Sequence, residues 1–357
     1  MNITRAIINL SALQHNLQVL KKQAPNSKIL AIIKANAYGH GMIKIAQNLT
    51  GIYGLGVARL NEALVLRDAN IKTPIVLLEG FFAQENLPLL VKHDLQTVIH
   101  SKQQVIDLLE AKLEKPLKIW LKLDVGMHRL GFHPHEFQKT YQRLERCKNV
   151  QKPINLICHF NCADELDNPI TEKQTQLFKE QIQERSGLHS LASSAATLAW
   201  PTSHADIIRP GIALYGISPF ADKEAQDFSL LPVMTLKSRL IAVREHKKGD
   251  AVGYGAQWTS TQDTKLGVVA IGYGDGYPRM APEGTPILIN GRILPLVGRV
   301  SMDMLTVDLG INCTDKVGDD VTLWGDGLSA TLVAKYIGTI SYELVTKLTS
   351  RVELQYI

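Results

Sequence analysis

The stretch KILAIIKANAYGHG (residues 28–41) sets a run of apolar residues directly before a lysine, Lys34. The run is short enough for a strand that is buried on both faces. Tyr38 and two glycines follow the lysine, and the glycines allow the chain to bend around it. A lysine at the end of a buried strand loses solvation of its charged form. We therefore expect the pKa of Lys34 to fall from about 10.4 toward neutrality.

Runs of the same kind recur along the chain, and they occupy residues 28–35, 52–58, 74–80, 95–100, 117–124, 154–160, 189–194 and 206–216. Helical periodicity between them predicts helices at 60–69, 84–92, 101–113, 134–147 and 170–185. Strands that alternate with helices imply parallel βαβ units, and eight such units favour a closed (β/α)8 barrel of the TIM type over residues 1–230. The segment SALQHNLQVLKKQ (11–23) is predicted to form a further helix that closes one end, with Ser11 as its N-cap.

The pattern changes after about residue 230. Alternating apolar segments are separated by Gly, Pro, Asn and Asp, which is typical of strands joined by turns. Only SATLVAKYIG (329–338) has helical periodicity here. We therefore predict a second, mostly β domain over residues 231–357.

Composition excludes several classes of protein. The chain has 357 residues and a net charge of +5, from 39 basic and 34 acidic residues without long blocks of either sign, which argues against nucleic-acid or membrane surfaces. Its four cysteines are too sparse for a disulfide framework, which favours a reducing compartment. We find no signal-peptide pattern and no apolar stretch of 18 residues, so a cytoplasmic location is expected.

Polar residues fall at the ends of the predicted barrel strands, namely Lys34, Lys122, Asp124, His159, Ser193, Ser194 and Arg209. In such barrels the carboxyl ends of the strands form the functional face. A lysine of lowered pKa is a nucleophilic amine, the group that forms Schiff bases with carbonyl substrates and with pyridoxal phosphate. Either the segment after Ser194 or the PGIALYG segment (210–216) offers backbone N–H groups for a phosphate.

The chain resembles the alanine racemase family, which uses pyridoxal 5'-phosphate. The motifs that carry this resemblance are AIIKANAYGHG (31–41), KLDVGMHRLGF (122–132), CHFNCADE (158–165), SSAATL (193–198), IIRPGIALYG (207–216), VGYGAQW (252–258), AIGYGDGYPR (270–279), GRVSMDM (298–304) and ISYE (340–343). They span nearly the whole sequence. Ser193 stands where many relatives carry asparagine and Ser301 where some carry cysteine, which leaves fine specificity open.

The resemblance implies roles for the cofactor site. Lys34 would bind pyridoxal phosphate covalently, and Arg209 would face the pyridine nitrogen. Because a guanidinium keeps its proton, the ring nitrogen would stay unprotonated, which favours racemisation over transamination. The remaining cofactor contacts would come from the side chains or backbone of Tyr38, His159, Ser194, Gly211, Ile212 and Tyr342.

The resemblance also implies a homodimer with an active site shared between subunits. Lys34 and Tyr254 of the partner chain would be the two bases on opposite faces of the substrate Cα, and His159 and Arg209 would favour the tyrosinate. Arg129 would bind the substrate carboxylate and would be oriented by Lys122 if this lysine is carbamylated. The partner's backbone at Met302 would contact the same carboxylate, while Tyr273 and Asp303 would line the entrance.

Three other functions remain open from the residues alone: a racemase of broad specificity or for serine, a non-catalytic pyridoxal-phosphate protein, and a decarboxylase of the same architecture. The second domain with Tyr254 argues against the non-catalytic protein. CHFNC (158–162) and HPH (133–135) lack the paired spacing of structural zinc sites, so we expect no metal.

Overall fold

The computed structural model describes residues 3–182 and 185–357. In chain order its strands are β1 (Arg5–Ile8), β2 (Lys28–Ile32), β3 (Gly54–Val57), β4 (Ile75–Leu77), β5 (Leu95–Ile99), β6 (Ile119–Lys122), β7 (Asn155–Ile157), β8 (His189–Ser190), β9 (Ile207–Ile208), β10 (Met234–His246), β11 (Ala251–Val252), β12 (Trp258–Thr259), β13 (Thr264–Val269), β14 (Pro286–Ile289), β15 (Arg292–Val297), β16 (Leu305–Asp308), β17 (Asp320–Trp324) and β18 (Glu353–Tyr356).

Its right-handed α-helices span Leu10–Gln23, Met42–Asn48, Leu60–Asp68, Leu87–Lys92, Lys102–Glu110, Pro134–Glu145, Ile170–Ile182, Ser194–Ala199, Ala330–Ile337 and Ser341–Thr346. Short 3-10 turns occur at Gln84–Asn86, Pro201–Ser203, Ile212–Tyr215, Ala225–Phe228, Tyr254–Ala256 and Tyr273–Asp275. The chain divides into two units. One contains the described residues up to His15 together with Tyr38–Gly41 and Tyr215–Ile357, and the other contains Asn16–Ala37 and Met42–Leu214.

Strands β2 to β9 form an eight-stranded parallel sheet in the order β8-β7-β6-β5-β4-β3-β2-β9. The backbone N–H of Arg209 donates to the carbonyl of Ala192 at 2.8 Å and so links the segments that follow the first and last strands of this order. Every residue of β3 and β5 is buried, as expected for strands covered on both faces. Each of the eight predicted runs contains one of these strands, and the predicted TIM-type barrel is confirmed.

The helices around this barrel are amphipathic. In helix Pro134–Glu145 the buried residues Phe137, Tyr141 and Leu144 recur at spacings of four and three, which places them on one face. The five predicted helices are present with shorter bounds. Helix Lys102–Glu110 ends early because Ala111 is extended. The predicted helix 170–185 is found as Ile170–Ile182, and residues 183 and 184 lie outside the described residues.

The unit that contains Tyr215–Ile357, called the second unit below, is mostly β, as predicted. Its main sheet has the order β13-β16-β15-β14-β17-β10-β1-β18, and an additional pairing of β13 with β10 closes six of these strands into a ring. Strand β1 pairs antiparallel with β10 and parallel with β18. The sequence pattern did not predict β1, β18 or helix Ser341–Thr346. Among the residues that the structure describes, no helix is both long and apolar enough to cross a membrane.

The predicted N-cap of the first helix is wrong. Helix Leu10–Gln23 begins after Asn9, whose side-chain Oδ1 accepts a hydrogen bond from the backbone N–H of Ala12 at 2.9 Å. Asn9 therefore caps the third residue of the helix, while Ser11 is an exposed residue of its first turn. Both residue types are good N-caps, so the sequence alone does not separate them.

We predict that Asn9→Ala lowers the free energy of unfolding by about 1 kcal/mol, because it leaves a helical N–H without its side-chain acceptor. Urea unfolding at a fixed protein concentration measures the change. Ser11→Ala is the matched control and is expected to change stability by less than about 0.5 kcal/mol. Equal effects of the two substitutions would show that Asn9 does not cap this helix.

Candidate active site

Lys34 lies after β2 and directly precedes a strained piece of backbone. Ala35, Asn36, Ala37 and Tyr38 all have φ between 52° and 55°, so the chain makes a left-handed turn of four consecutive non-glycine residues. This conformation costs about 1–2 kcal/mol per residue. Such strain persists only where surrounding contacts hold it, and it is found most often at functional sites.

Glu62 supplies one of these contacts. Its Oε1 accepts a hydrogen bond from the backbone N–H of Ala35 at 2.7 Å, and its Oε2 accepts from Ala58 at 2.8 Å and Arg59 at 3.0 Å. One carboxylate thus ties the residue after Lys34 to the start of helix Leu60–Asp68. The sequence analysis missed Glu62, since a glutamate in the first turn of a helix is an ordinary capping feature.

A second contact holds the end of the same turn. The side-chain Oδ1 of Asn36 accepts a hydrogen bond from the backbone N–H of Met42 at 2.8 Å, and the N–H of Ala37 donates to Ile33 at 2.8 Å. Hydrogen bonds therefore connect the left-handed turn to Glu62, to Ile33 before it and to Met42 after it. This places the side chain of Lys34 on a fixed backbone.

The structure brings Lys34, Lys122, Arg129, Arg209 and His159 together in the barrel unit. The pKa of His159 lies well below its usual value, first because its ring is buried and then because the four positive side chains oppose its protonation. His159 is therefore a neutral imidazole in a cationic environment. Positive charge concentrated around a buried, neutral imidazole in this way favours the binding of anions.

The pKa of Lys34 is lowered, as predicted. Burial is the main cause; the carboxylate of Glu79 raises this pKa in part, and the guanidinium of Arg129 lowers it further. Lys122 is a second half-buried amine, and burial followed by the charges of Arg209 and Arg129 lowers its pKa to about 8. Both amines thus carry a larger neutral fraction than an exposed lysine.

Arg209 is buried, and its guanidinium is held by neutral acceptors. It donates to the hydroxyl of Ser190 at 2.7 Å, to the carbonyl of Cys158 at 2.6 Å and to the carbonyl of Leu191 at 3.2 Å. Burial lowers the pKa of Arg209 to about 10, which still leaves it protonated at neutral pH. These bonds fix the orientation of a permanent cation at the end of β9.

The hydroxyl of Ser194 organises the segment after Arg209. Its Oγ accepts hydrogen bonds from the backbone N–H of Gly211 at 2.8 Å and of Ala213 at 3.2 Å. Ile212 between them is fully buried. The structure thus brings Ser194, at the start of helix Ser194–Ala199, against the segment of Gly211 and Ile212, so that three of the predicted phosphate contacts lie together.

Arg129 lies on a loop that is closed at its base. The N–H of Asp124 donates to Phe132 and the N–H of Phe132 donates to Lys122, both at 2.9 Å. Arg129 itself is exposed. A guanidinium on a loop with a fixed base is suited to binding a carboxylate through paired hydrogen bonds.

The predicted tyrosines Tyr38 and Tyr342 lie in the other unit, in an aromatic cluster. The ring of Tyr38 lies 6.1 Å from that of Tyr342 and 5.1 Å from that of Tyr215, and the ring of Tyr215 stacks on His40 at 4.4 Å. Burial raises the pKa of Tyr38. Its phenol therefore keeps its proton and is available as a hydrogen-bond donor.

The two glycines after Tyr38 allow close packing of the backbone. Gly39 has a φ of +80° and Gly41 a φ of +91°, and a Cβ on either would collide with the carbonyl of Val345 or the hydroxyl of Tyr356. The sequence analysis assigned these glycines to a bend around the lysine. The structure shows that glycine is also required at these two positions because the backbone packs closely against Val345 and Tyr356.

Tyr254 and Met302 are exposed on the second unit, with 69% and 53% of their surfaces accessible. Tyr254 begins a short turn between Gly253 and Gly255, both of which have positive φ. The N–H of Tyr273 donates to Ser301 at 3.1 Å, which joins the loop of Tyr273 to the loop of Met302. The structure thus leaves the predicted second base open to solvent in this chain.

Asp303 is fixed by an arginine that the sequence analysis missed. Arg351 donates to Asp303 at 2.9 Å and pairs with the buried Asp275 at 3.1 Å. Asp275 in turn accepts from the N–H of Gly272 at 2.9 Å. No local pattern near Arg351 marks it in the sequence, because its partners lie about 50 and 75 residues earlier in the chain.

These features place a half-buried lysine amine of lowered pKa at the end of the first strand of a (β/α)8 barrel. The alanine racemase N-terminal domain model matches residues 8–219, and the alanine racemase C-terminal domain model matches residues 233–356. An alanine racemase from Aliivibrio salmonicida (strain LFI1238) is 57% identical over 357 residues, which are 100% of both chains. One from Shewanella sediminis (strain HAW-EB3) is 58% identical and covers 98% of this chain and 97% of that protein.

The biosynthetic alanine racemase of Pseudomonas aeruginosa has a similar crystal structure, with a TM-score of 0.97, 44% identity and coverage of 100% of both chains. The chain therefore belongs to the alanine racemase family. It is an isomerase that interconverts L-alanine and D-alanine.

We predict that His159 makes the protein less stable in mild acid. Its pKa is lower in the folded protein than in the unfolded chain, so its contribution to stability is complete above the unfolded value of about 6.5. As the pH falls from there toward the folded pKa, the unfolded chain gains a proton that the folded protein does not, and the free energy of unfolding decreases by up to about 1.4 kcal/mol per pH unit.

His159→Gln removes this titration. Urea unfolding of both proteins between pH 5 and 7.5 is expected to show that the stability advantage of the native histidine shrinks as the pH falls. Parallel pH profiles would mean that His159 has the same pKa in the folded and unfolded states.

Proposed function

We propose that the chain racemises alanine with pyridoxal 5'-phosphate bound to Lys34. This proposal rests on the position and pKa of the Lys34 amine. Burial lowers its pKa, and Lys34 lies at the end of the first barrel strand, directly before a strained turn that is held by hydrogen bonds. A neutral amine is the form that attacks an aldehyde. The family's product, D-alanine, serves peptidoglycan synthesis, and we propose a cytoplasmic location, which is compatible with four free cysteines.

The residues present fit this cofactor. Its phosphate would be bound by Ser194, by the backbone of Gly211 and Ile212, and by the hydroxyls of Tyr38 and Tyr342. Arg209 would bind the pyridine nitrogen, and because its guanidinium keeps its proton, it would donate a hydrogen bond without protonating the ring. His159 would complete this site as a neutral imidazole. When bound, the cofactor withdraws electrons from the substrate Cα and so makes its proton more acidic.

Two bases are proposed to move the Cα proton. Lys34 would hold the proton on one face, and the phenol of Tyr254 would hold it on the opposite face. In this chain Tyr254 is exposed. This exposure supports its contribution to the site of a second copy, so that the enzyme would be a homodimer with shared active sites.

The remaining proposed contacts position the amino acid. Arg129 would bind the substrate carboxylate with its planar guanidinium, and the backbone of the partner's Met302 would contact the same group. Tyr273 and Asp303 would lie at the entrance. The ion pair between Asp303 and Arg351 supports this role, because it fixes the carboxylate of Asp303 in one orientation.

Lys34 and Lys122 provide a sharp test of the cofactor site, since both are half-buried amines of lowered pKa. We expect borohydride treatment of the protein with pyridoxal phosphate to fix the cofactor on Lys34 alone, as measured by peptide mass mapping. Lys34→Ala is expected to lose the label and to lower kcat by roughly 10²–10⁴. A label on Lys122 would contradict the assignment.

Tyr254→Phe tests the second base. Without the hydroxyl, exchange of the Cα proton with deuterium is expected to fall by roughly 10²–10⁴ for one enantiomer of alanine and far less for the other. Chiral chromatography and mass spectrometry measure both exchanges. Tyr273→Phe is the matched control, because Tyr273 has no proposed role as a base.

The shared site has a separate readout. Mixed dimers of Lys34→Ala and Tyr254→Phe chains contain one site with both bases intact, so mixing the two variants is expected to restore activity. Equal residual exchange of both enantiomers in Tyr254→Phe, or no restoration in mixed dimers that are shown to form, would exclude Tyr254 as a base supplied by the partner.

A further inference from the structure

We propose that Asp124, His128 and His133 form a binding site for a divalent transition-metal ion of the Zn²⁺ class. Each residue offers one ligand atom, and these atoms lie within 4.8 Å of one another. Two imidazoles and one carboxylate are donors that suit Zn²⁺ and its neighbours, whereas Mg²⁺ and Ca²⁺ prefer oxygen ligands. No metal was predicted from the sequence, because the ligands are spaced four and five residues apart along the chain and match no paired zinc motif.

Asp124 is the fixed member of this group. Its side chain is buried, and its Oδ1 accepts hydrogen bonds from the backbone N–H of Gly126 at 3.0 Å and of His128 at 3.1 Å. Its other oxygen, Oδ2, lies 3.5 Å from Nδ1 of His128. Zn²⁺ takes such ligands at about 2.0–2.2 Å in a tetrahedron, which separates neighbouring ligand atoms by about 3.4 Å. This pair already has that spacing.

His128 occupies an unusual backbone conformation. Its φ of 52° lies in the left-handed region, where non-glycine residues are uncommon and histidine is among the enriched types. This conformation brings its exposed ring beside the buried carboxylate of Asp124. It also places the ring 5.6 Å from the ring of His133.

His133 approaches from the other end of the same loop. It precedes Pro134 at the start of helix Pro134–Glu145, and within the described residues its side chain makes no capping hydrogen bond to that helix. The side chain is exposed, so a small rotation is open to it. In the structure the ligand atoms lie up to 4.8 Å apart, whereas a tetrahedral zinc site needs about 3.4 Å. A change in the side-chain torsions of the exposed His133 can close this difference.

A bound ion would connect three points of one loop. Asp124 lies at its start, His128 at its centre and His133 at its end, and Arg129 follows His128 directly. The ion would therefore fix the segment that carries Arg129. The metal site itself does not depend on the role proposed for Arg129.

Calorimetric titration of the metal-free full-length protein with Zn²⁺ tests the site directly. We expect saturable binding of one ion per chain and no binding of Mg²⁺ under the same conditions. His128→Asn and His133→Gln are each expected to weaken Zn²⁺ binding by at least about tenfold. His15→Gln is the matched control, an exposed histidine outside the loop, and is expected to leave the affinity unchanged.

Co²⁺ provides a second readout that identifies the ligands. Binding at this site is expected to give the d–d absorption of nitrogen and oxygen coordination without thiolate charge-transfer bands, and His133→Gln is expected to lose it. Thiolate bands would assign the ion to a cysteine and overturn the proposal. Failure of Zn²⁺ to saturate one site, or unchanged affinity in both loop variants with a native circular dichroism spectrum, would also overturn it.

Discussion

The candidate site depends on the concentration of positive side chains at the carboxyl ends of the barrel strands, a region called the barrel mouth here. Lys34, Lys122, Arg129 and Arg209 all act on the imidazole of His159. Cations that share a poorly solvated space repel one another, and the protein can lower this cost by deprotonating an amine or by binding anions. Burial is the main cause of the lowered pKa of Lys34, and Arg129 adds to it. The positive charges also make this end of the barrel suitable for binding a phosphate and a carboxylate.

The backbone around Lys34 shows how this arrangement is kept in place. Four left-handed residues store several kcal/mol of unfavourable conformation by the usual cost per residue. Hydrogen bonds to the side-chain oxygens of Glu62 and Asn36 offset part of this cost. Hydrogen bonds of the neighbouring residues therefore fix the backbone at Lys34. They do not involve the Lys34 amine.

The barrel and its polar strand-end residues could be predicted from the sequence, because buried parallel strands have continuous apolar runs and most of the eight runs carry ionisable or hydroxyl residues at or near their ends. The left-handed turn could not, since three of its four residues, Ala35, Ala37 and Tyr38, are types that rarely adopt this conformation. Glu62 and Arg351 were missed for a related reason: each acts through partners that the fold brings near. Strand β1 is four residues long and has no periodicity of its own, so its membership of the second unit became visible only from its pairing with β10 and β18.

The position of β1 has a consequence for how the protein is made. Its register joins Arg5 to Glu353 and Ile8 to Tyr356, so nearly the entire described chain lies between the partners. At about 5–20 residues per second, a ribosome needs roughly 20–70 s to deliver the second partner after the first has emerged. During that interval β1 has an unfilled edge on the side of β18. The edge of β1 that pairs with β18 is therefore the last part of this sheet to be covered during synthesis.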